Sequence, residues 1–244
     1  MTDSSSPPAD TQRKKQNPLI DLLISIILPS IILMRFSGPD KLGPTGALLL
    51  ALSFPAIWGL YDLFKNGVKN YIAILGVISV LLTGCIGLLK LDSQWLAVME
   101  AAIPLCIGIG ILVANFLGFP LIRKLLYNPS IIQVDRVNQA LVARGNHQKF
   151  RMRLDRANLF FACTFFFSAV ANYILAKVIV TSDSGTEAFN NELGRMTLLS
   201  YPVIAIPSMI MMLAIFYYLW RTIRTLTGLQ LEQIMVNNEE EEKQ

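Results

Sequence analysis

The run AAIPLCIGIGILVANFLGFPLI, residues 101–122, holds no charged side chain and lies between Glu100 on one side and Arg123 and Lys124 on the other. About 20 apolar residues carry a helix across the hydrocarbon core of a bilayer. In lipid, only helices and closed barrels satisfy every backbone N–H and C=O. The run therefore predicts a membrane-spanning helix. It also raises the question of whether Glu100 lies at membrane depth, where an ionisable group is a candidate functional site.

The rest of the 244-residue chain repeats the pattern, with 53% hydrophobic residues and positive mean hydropathy. Charge-free stretches also cover 45–61, 71–89, 157–176 and 196–220, and a shorter apolar stretch, 18–34, carries one charged residue, Asp21. The expected fold is all-α: a polytopic membrane protein with six transmembrane helices over about 18–36, 44–63, 71–89, 101–122, 158–178 and 199–220. These form one domain, 17–224. The polar, Ser- and Pro-containing segment 1–16 reads as a disordered tail and the segment 225–244 as an acidic one. No small-residue cleavage site follows the first apolar stretch, so the first span is expected to be retained.

Lys and Arg in short loops collect on the cytoplasmic side of a membrane. With six spans and both termini inside, 16 of the 21 basic residues fall inside; the exceptions are Arg35, Lys41, Lys90, Lys177 and Arg195. The last external loop, TSDSGTEAFNNELGR, holds three acids against one base. Five spans would place the basic N-terminal cluster Arg13, Lys14 and Lys15 on the wrong face. A plasma-membrane protein with N-in, C-in topology is expected.

The connection 123–156 carries eight basic and two acidic residues. Within it, IIQVDRVNQALVARG places Ile131, Val134, Val137, Leu141 and Val142 at spacings near 3 and 4, which predicts a short amphipathic helix between spans 4 and 5. Apolar contact and attraction to anionic lipid would hold it on the inner surface, making membrane lipids a partner. The alternative is a solvated connector that is basic only because it is cytoplasmic. No nucleic-acid-binding motif accompanies the charge.

Counting 20 residues back from Ile122 reaches Ile103, with Pro104 suited to a first helical turn. Glu100 then sits at or beyond the helix start beside Trp95, where the helix dipole stabilises a carboxylate. The functional alternative is a group lining the mouth of a cavity. Asp21 has a similar account: Asn17 can cap the first helix, Pro18 suits its first position, and Asp21 falls near the first turn. Lys177, at the end of its span, can snorkel to the surface. Asn115 and Asn172 lie nearer mid-depth, either as interhelical hydrogen-bonding groups or as the lining of a polar cavity. A chain of titratable groups for a proton relay is missing from the central spans. Pro29, Pro55, Pro104, Pro120, Pro202 and Pro207 interrupt or flank spans, as in broken transporter helices, but proline is common in membrane helices generally. The phenylalanines of LFFACTFFF are expected to face lipid.

Cys85, Cys106 and Cys163 stand in separate apolar runs, and the single histidine, His147, has no partner in the sequence for a metal or haem motif. No metal, cofactor or catalytic residue is expected.

Several segments resemble the intracellular septation protein A family of multispanning bacterial inner-membrane proteins. They are Asp21 and Pro29 as D-x(7)-P, LLTGCIGLLKLDSQW at 81–95, FPLIRKLLYN at 119–128, ANLFFACTFFFSAVANYILA at 157–176, and YYLWRTIR at 217–224. The most specific pieces are P-L-I-R-K-L-L and A-N-Y-I-L-A. The longer basic connection and the added SGPDKLGPTG depart from the family pattern. The resemblance implies a role in cell-envelope maintenance or septation through other envelope membrane proteins and self-association, with no catalytic residues to transfer. The expected function is thus a non-enzymatic envelope protein. The alternative is a small-solute or lipid transporter or channel, motivated by Asn115, Asn172, Glu100 and the prolines.

Overall fold

The computed structural model describes residues 26–66, 71–126, 132–230 and 234. Among these residues the regular structure is helical, without strands. In chain order the helices are α1 (Leu28–Phe36), α2 (Gly43–Asn66), α3 (Tyr71–Leu88), α4 (Gln94–Phe116), α5 (Leu121–Leu126), α6 (Val134–Ala143), α7 (His147–Ile179), α8 (Glu187–Ser200) and α9 (Ile206–Thr227). A wide π-helical segment, Tyr201–Ala205, joins α8 to α9 without a break in the helical path. Pro207 has no N–H to offer the carbonyl four residues earlier, and a widened turn beside it absorbs that loss.

Four helices are long and apolar enough to cross a membrane: Gly43–Tyr61 within α2, then α4, α7, and the continuous helix Glu187–Thr227. The protein buries only 11 to 28% of their most apolar windows. Ile57, Val170, Leu213 and Ile210 are all more than half exposed on these helices. An unbroken apolar exterior of this kind is satisfied by lipid rather than water. The class is therefore an all-helical, multi-pass membrane protein.

Several boundaries differ from the sequence expectation. Span 4 runs Gln94–Phe116 rather than 101–122. Its end is a Schellman turn: Gly118, at φ +83°, donates to the Asn115 carbonyl and Phe119 to that of Ala114. Pro120 then opens α5, so the signal G-F-P ends the helix within a run whose hydropathy never falls. Span 5 is extended at its start to His147, so residues 147–156 belong to a helix rather than to a loop. The last helix begins at Glu187, inside the stretch expected to be a loop, where Thr186 caps it by accepting from the Phe189 amide. The early part of the first span, with Asp21, Asn17 and Pro18, lies outside the described residues.

The central pair is α4 and α7, flanked by α9, α3 and α8. Buried Ala162, Ala169 and Ala176 recur every seven positions along α7, and small residues let helices approach closely. The same closeness explains Gly194 on α8, whose added Cβ would sit 2.9 Å from the Ser30 carbonyl oxygen of α1. The phenylalanines divide: Phe160 and Phe167 face outward, whereas Phe161 is buried and Phe166 packs over Gly108.

Two apolar clusters form the core. One, at the Lys90 end, joins Ile32, Leu48, Ile86, Leu96, Phe189 and Leu193. The other, at the Arg123 end, joins Ile111, Val137, Leu141, Phe150, Leu154 and Leu219. The amphipathic helix forms as expected, as α6. Its fully buried Val137 and Leu141 pack within the protein rather than on a bilayer, while Val142 remains exposed.

Polar side chains fasten the turns. Asn190 donates to Ser37 Oγ (2.9 Å) and to the Pro44 carbonyl (2.7 Å), tying α8 to the α1–α2 turn within SGPDKLGPTG. Glu192 accepts from the amides of Thr181 (2.8 Å) and Ser182 (2.9 Å), closing the turn from α7 to α8. Asn158, fully buried on α7, accepts from the Ile122 amide (3.2 Å) and donates to the Ile111 carbonyl (3.3 Å), so it spans the break between α4 and α5.

Candidate functional site

Because α4 starts at Gln94, Glu100 is its seventh residue, about 9 Å along the axis from the helix start at 1.5 Å per residue. That corrects the expected position at or beyond the helix terminus. The helix dipole acts mainly on the first turn, so it no longer accounts for a carboxylate here. Pro104 lies within the helix rather than in its first turn.

Glu100 and Asn172 instead share one cavity of about 230 Å³, walled by α1, α2, α3, α4, α7 and α8. Along α4, α7 and the continuous α8–α9 helix the cavity falls between the two core clusters: Glu100 lies between Ala97 and Ile111, Asn172 between Ala162 and Ala176, and Ser200 between Met196 and Ile215. Hydroxyls line it from three helices, through Ser30 on α1, Ser79 and Thr83 on α3, and Thr197 and Ser200 on α8. Glu100 is the one charged residue among the described lining.

Its partners within the protein are few. Thr83 Oγ1 donates to Glu100 Oε1 across a long 3.5 Å. Asn172 directs its amide back along its own helix, to the carbonyl (2.9 Å) and hydroxyl (3.3 Å) of Ser168. Among the described residues, no interhelical hydrogen bond employs it. The buried Ser30 hydroxyl has no hydrogen-bond partner among the described residues. Two helix-interior prolines add backbone polarity at the same level. Pro55 deprives the Ala51 carbonyl of its usual donor, and Pro104 does the same to the carbonyl of Glu100. Both Ala51 and Pro55 line the cavity.

Asn115 belongs elsewhere. It lines a second cavity, of about 240 Å³, at the Arg123 end. The structure thus unites two of the singled-out residues and separates the third. Lys177 is exposed and donates to Gln94 Oε1 (3.1 Å) beside a surface depression whose charged groups, Lys90, Lys177, Asp92 and Asp183, balance in sign. Among the described residues, no group of three His, Cys, Asp or Glu side chains is placed to hold a metal ion.

Sequence reasoning missed the hydroxyl lining and Asn158. A serine or threonine in an apolar helix is unremarkable alone, and only the packing of several helices turns such residues towards one space. No family model, curated protein or solved structure matches this chain.

Proposed function

We propose that the protein is a six-span protein of the bacterial inner membrane that binds a small cationic solute at Glu100 and conducts it across the bilayer. The observation that supports this reading is a lone carboxylate in a cavity of hydroxyl and amide groups, with one long hydrogen bond and no cationic residue in the described lining. A buried charge left without a counter-charge is costly, and a cation drawn into the cavity offsets that cost. The prolines within α2 and α4 suit such a ligand, as the freed carbonyls of Ala51 and Glu100 add further acceptors. The π-helical turn after Ser200 adds a deformable element at the cavity wall.

Proteoliposomes offer the test, with Na⁺, K⁺ and choline as probes. Wild-type protein is expected to take up at least one of them, and Glu100→Gln to slow that uptake about tenfold or more, as loss of a charge-assisted contact predicts. Equal uptake by both proteins would refute the assignment.

In this reading α1, with the residues before it, and α3 supply the first and third spans, both termini are cytoplasmic, and the Arg123 end faces the cytoplasm under the positive-inside bias. In a variant lacking the native cysteines, an impermeant thiol reagent applied to whole cells should label Asp183→Cys and spare Arg144→Cys. The opposite pattern would invert the topology.

A non-enzymatic role in envelope maintenance or septation, exercised through other membrane proteins, is favoured by the resemblance to the septation protein A family. The two most specific shared pieces bear on the cavities: A-N-Y-I-L-A contains Asn172, and P-L-I-R-K-L-L contains Pro120 and Arg123. A deletion strain with normal cell length, division and envelope-stress tolerance would count against this role.

A further inference from the structure

The cavity at the Arg123 end has the opposite chemistry to the one around Glu100. Its lining carries the guanidiniums of Arg123 and Arg151, the imidazole of His147 and the amides of Asn115 and Asn138, against a single carboxylate, Asp155. Three local features bring them together. The left-handed turn at Gly118 and the proline at 120 swing Arg123 off the axis of α4. Asn158 pins that break by holding the Ile122 amide. The 33-residue helix α7 begins at the cavity, presenting His147 and Arg151 from its first turns.

The start of α7 carries no side-chain cap hydrogen bond, and the Asn146 Nδ2 group donates to the Leu226 carbonyl at 3.0 Å. Leading amides and the positive end of the helix dipole make such a terminus favourable to anions. An independent observation also points to a ligand. Asn115 Oδ1, on the cavity wall, is buried and has no hydrogen-bond partner among the described residues, so it calls for a hydroxyl or amine donor. Beside the cavity, Phe116, Leu117 and Phe119 are 96, 68 and 76% exposed, an apolar edge suited to acyl chains.

We propose that this cavity binds a phosphate group borne on a hydroxylated carbon skeleton, the chemistry common to a glycerophospholipid headgroup and a soluble glycerol phosphate. The two arginines engage the phosphate oxygens, the start of α7 adds its dipole, and Asn115 accepts from a hydroxyl. This site is independent of cation transport at Glu100.

The experiment uses the full chain purified in detergent. Phosphatidylglycerol and phosphatidylcholine are offered separately, and retained lipid is read by native mass spectrometry; glycerol 3-phosphate is titrated calorimetrically. Retention of phosphatidylglycerol alone would identify a lipid ligand, and glycerol 3-phosphate binding a soluble one; either supports the site. Arg151→Gln is expected to weaken the responding probe about tenfold or more, and Asp155→Asn to strengthen it, a gain that a misfolded variant would not show. Arg156→Gln removes the same charge from the same helix outside the cavity lining and should leave binding within about twofold. Equal weakening by Arg151→Gln and Arg156→Gln would reduce the effect to diffuse surface charge and overturn the proposal, as would the failure of both glycerol-phosphate probes to bind.

Discussion

Replacing Asn158 by Leu tests whether one buried amide holds the broken end of α4 in place. Asn158 is fully buried and Ile122 is 1% exposed, so water cannot replace a lost bond between them. Leaving the Ile122 N–H unsatisfied should cost about 1–3 kcal/mol. The bond to the Ile111 carbonyl adds about 0.6 kcal/mol, typical of hydrogen bonds between membrane helices. Leu matches Asn closely enough in size that the cavity contribution stays small. The expected loss is therefore about 2–3 kcal/mol, to be read by reversible SDS titration in mixed micelles with helical circular dichroism. Asn172→Leu is the comparison, since both of its bonds return to Ser168 on the same helix, and it should lose less than about 1 kcal/mol. The Ile122 amide should also exchange faster in Asn158→Leu. A loss no larger than that of Asn172→Leu, with unchanged exchange at Ile122, would refute the role given to Asn158.

Two further expectations use the same titration. Gly194→Ala should destabilise by about 1–3 kcal/mol, because the new methyl meets the Ser30 carbonyl and Met34; Gly110→Ala, whose methyl meets nothing within 4 Å, should be neutral or gain up to about 1 kcal/mol. Leu141→Ala should cost about 2–5 kcal/mol if α6 packs into the core, and Val142→Ala, at a 69% exposed position, less than about 0.5 kcal/mol. Similar small effects for Leu141 and Val142 would mean that lipid, not protein, covers α6.

The apolar helices were legible from the sequence because length and hydropathy are summed along one segment and need no knowledge of neighbours. The amphipathic α6 was legible for a related reason: its period of 3 to 4 is local. Boundaries were harder, and each error has a cause. Residues 117–122 are as apolar as the helix before them, so hydropathy carries through Gly118, and only the turn chemistry of G-F-P marks the stop. Residues 147–156 and 187–195 are polar enough to read as loops, yet they are helical: the first buries Phe150 and Leu154 and the second buries Phe189 and Leu193.

The candidate site divides in the same way. Glu100, Asn115 and Asn172 could be picked out singly as polar groups in apolar runs. That Glu100 and Asn172 share a cavity while Asn115 belongs to another depends on the rotation of α4 and α7 about their axes and on the packing of α1, α2, α3 and α8 around them. The hydroxyls of Ser30 and Thr197 face Glu100 across 70 to 97 residues of sequence, a separation at which no periodicity speaks. By itself, the sequence determined that apolar helices would seek lipid and where charge would gather between them, since both follow from transfer of local segments out of water. Only the tertiary structure decided which polar side chains meet, because that depends on helix rotation, close approach at small residues, the break at Gly118 and the widened turn at Tyr201–Ala205.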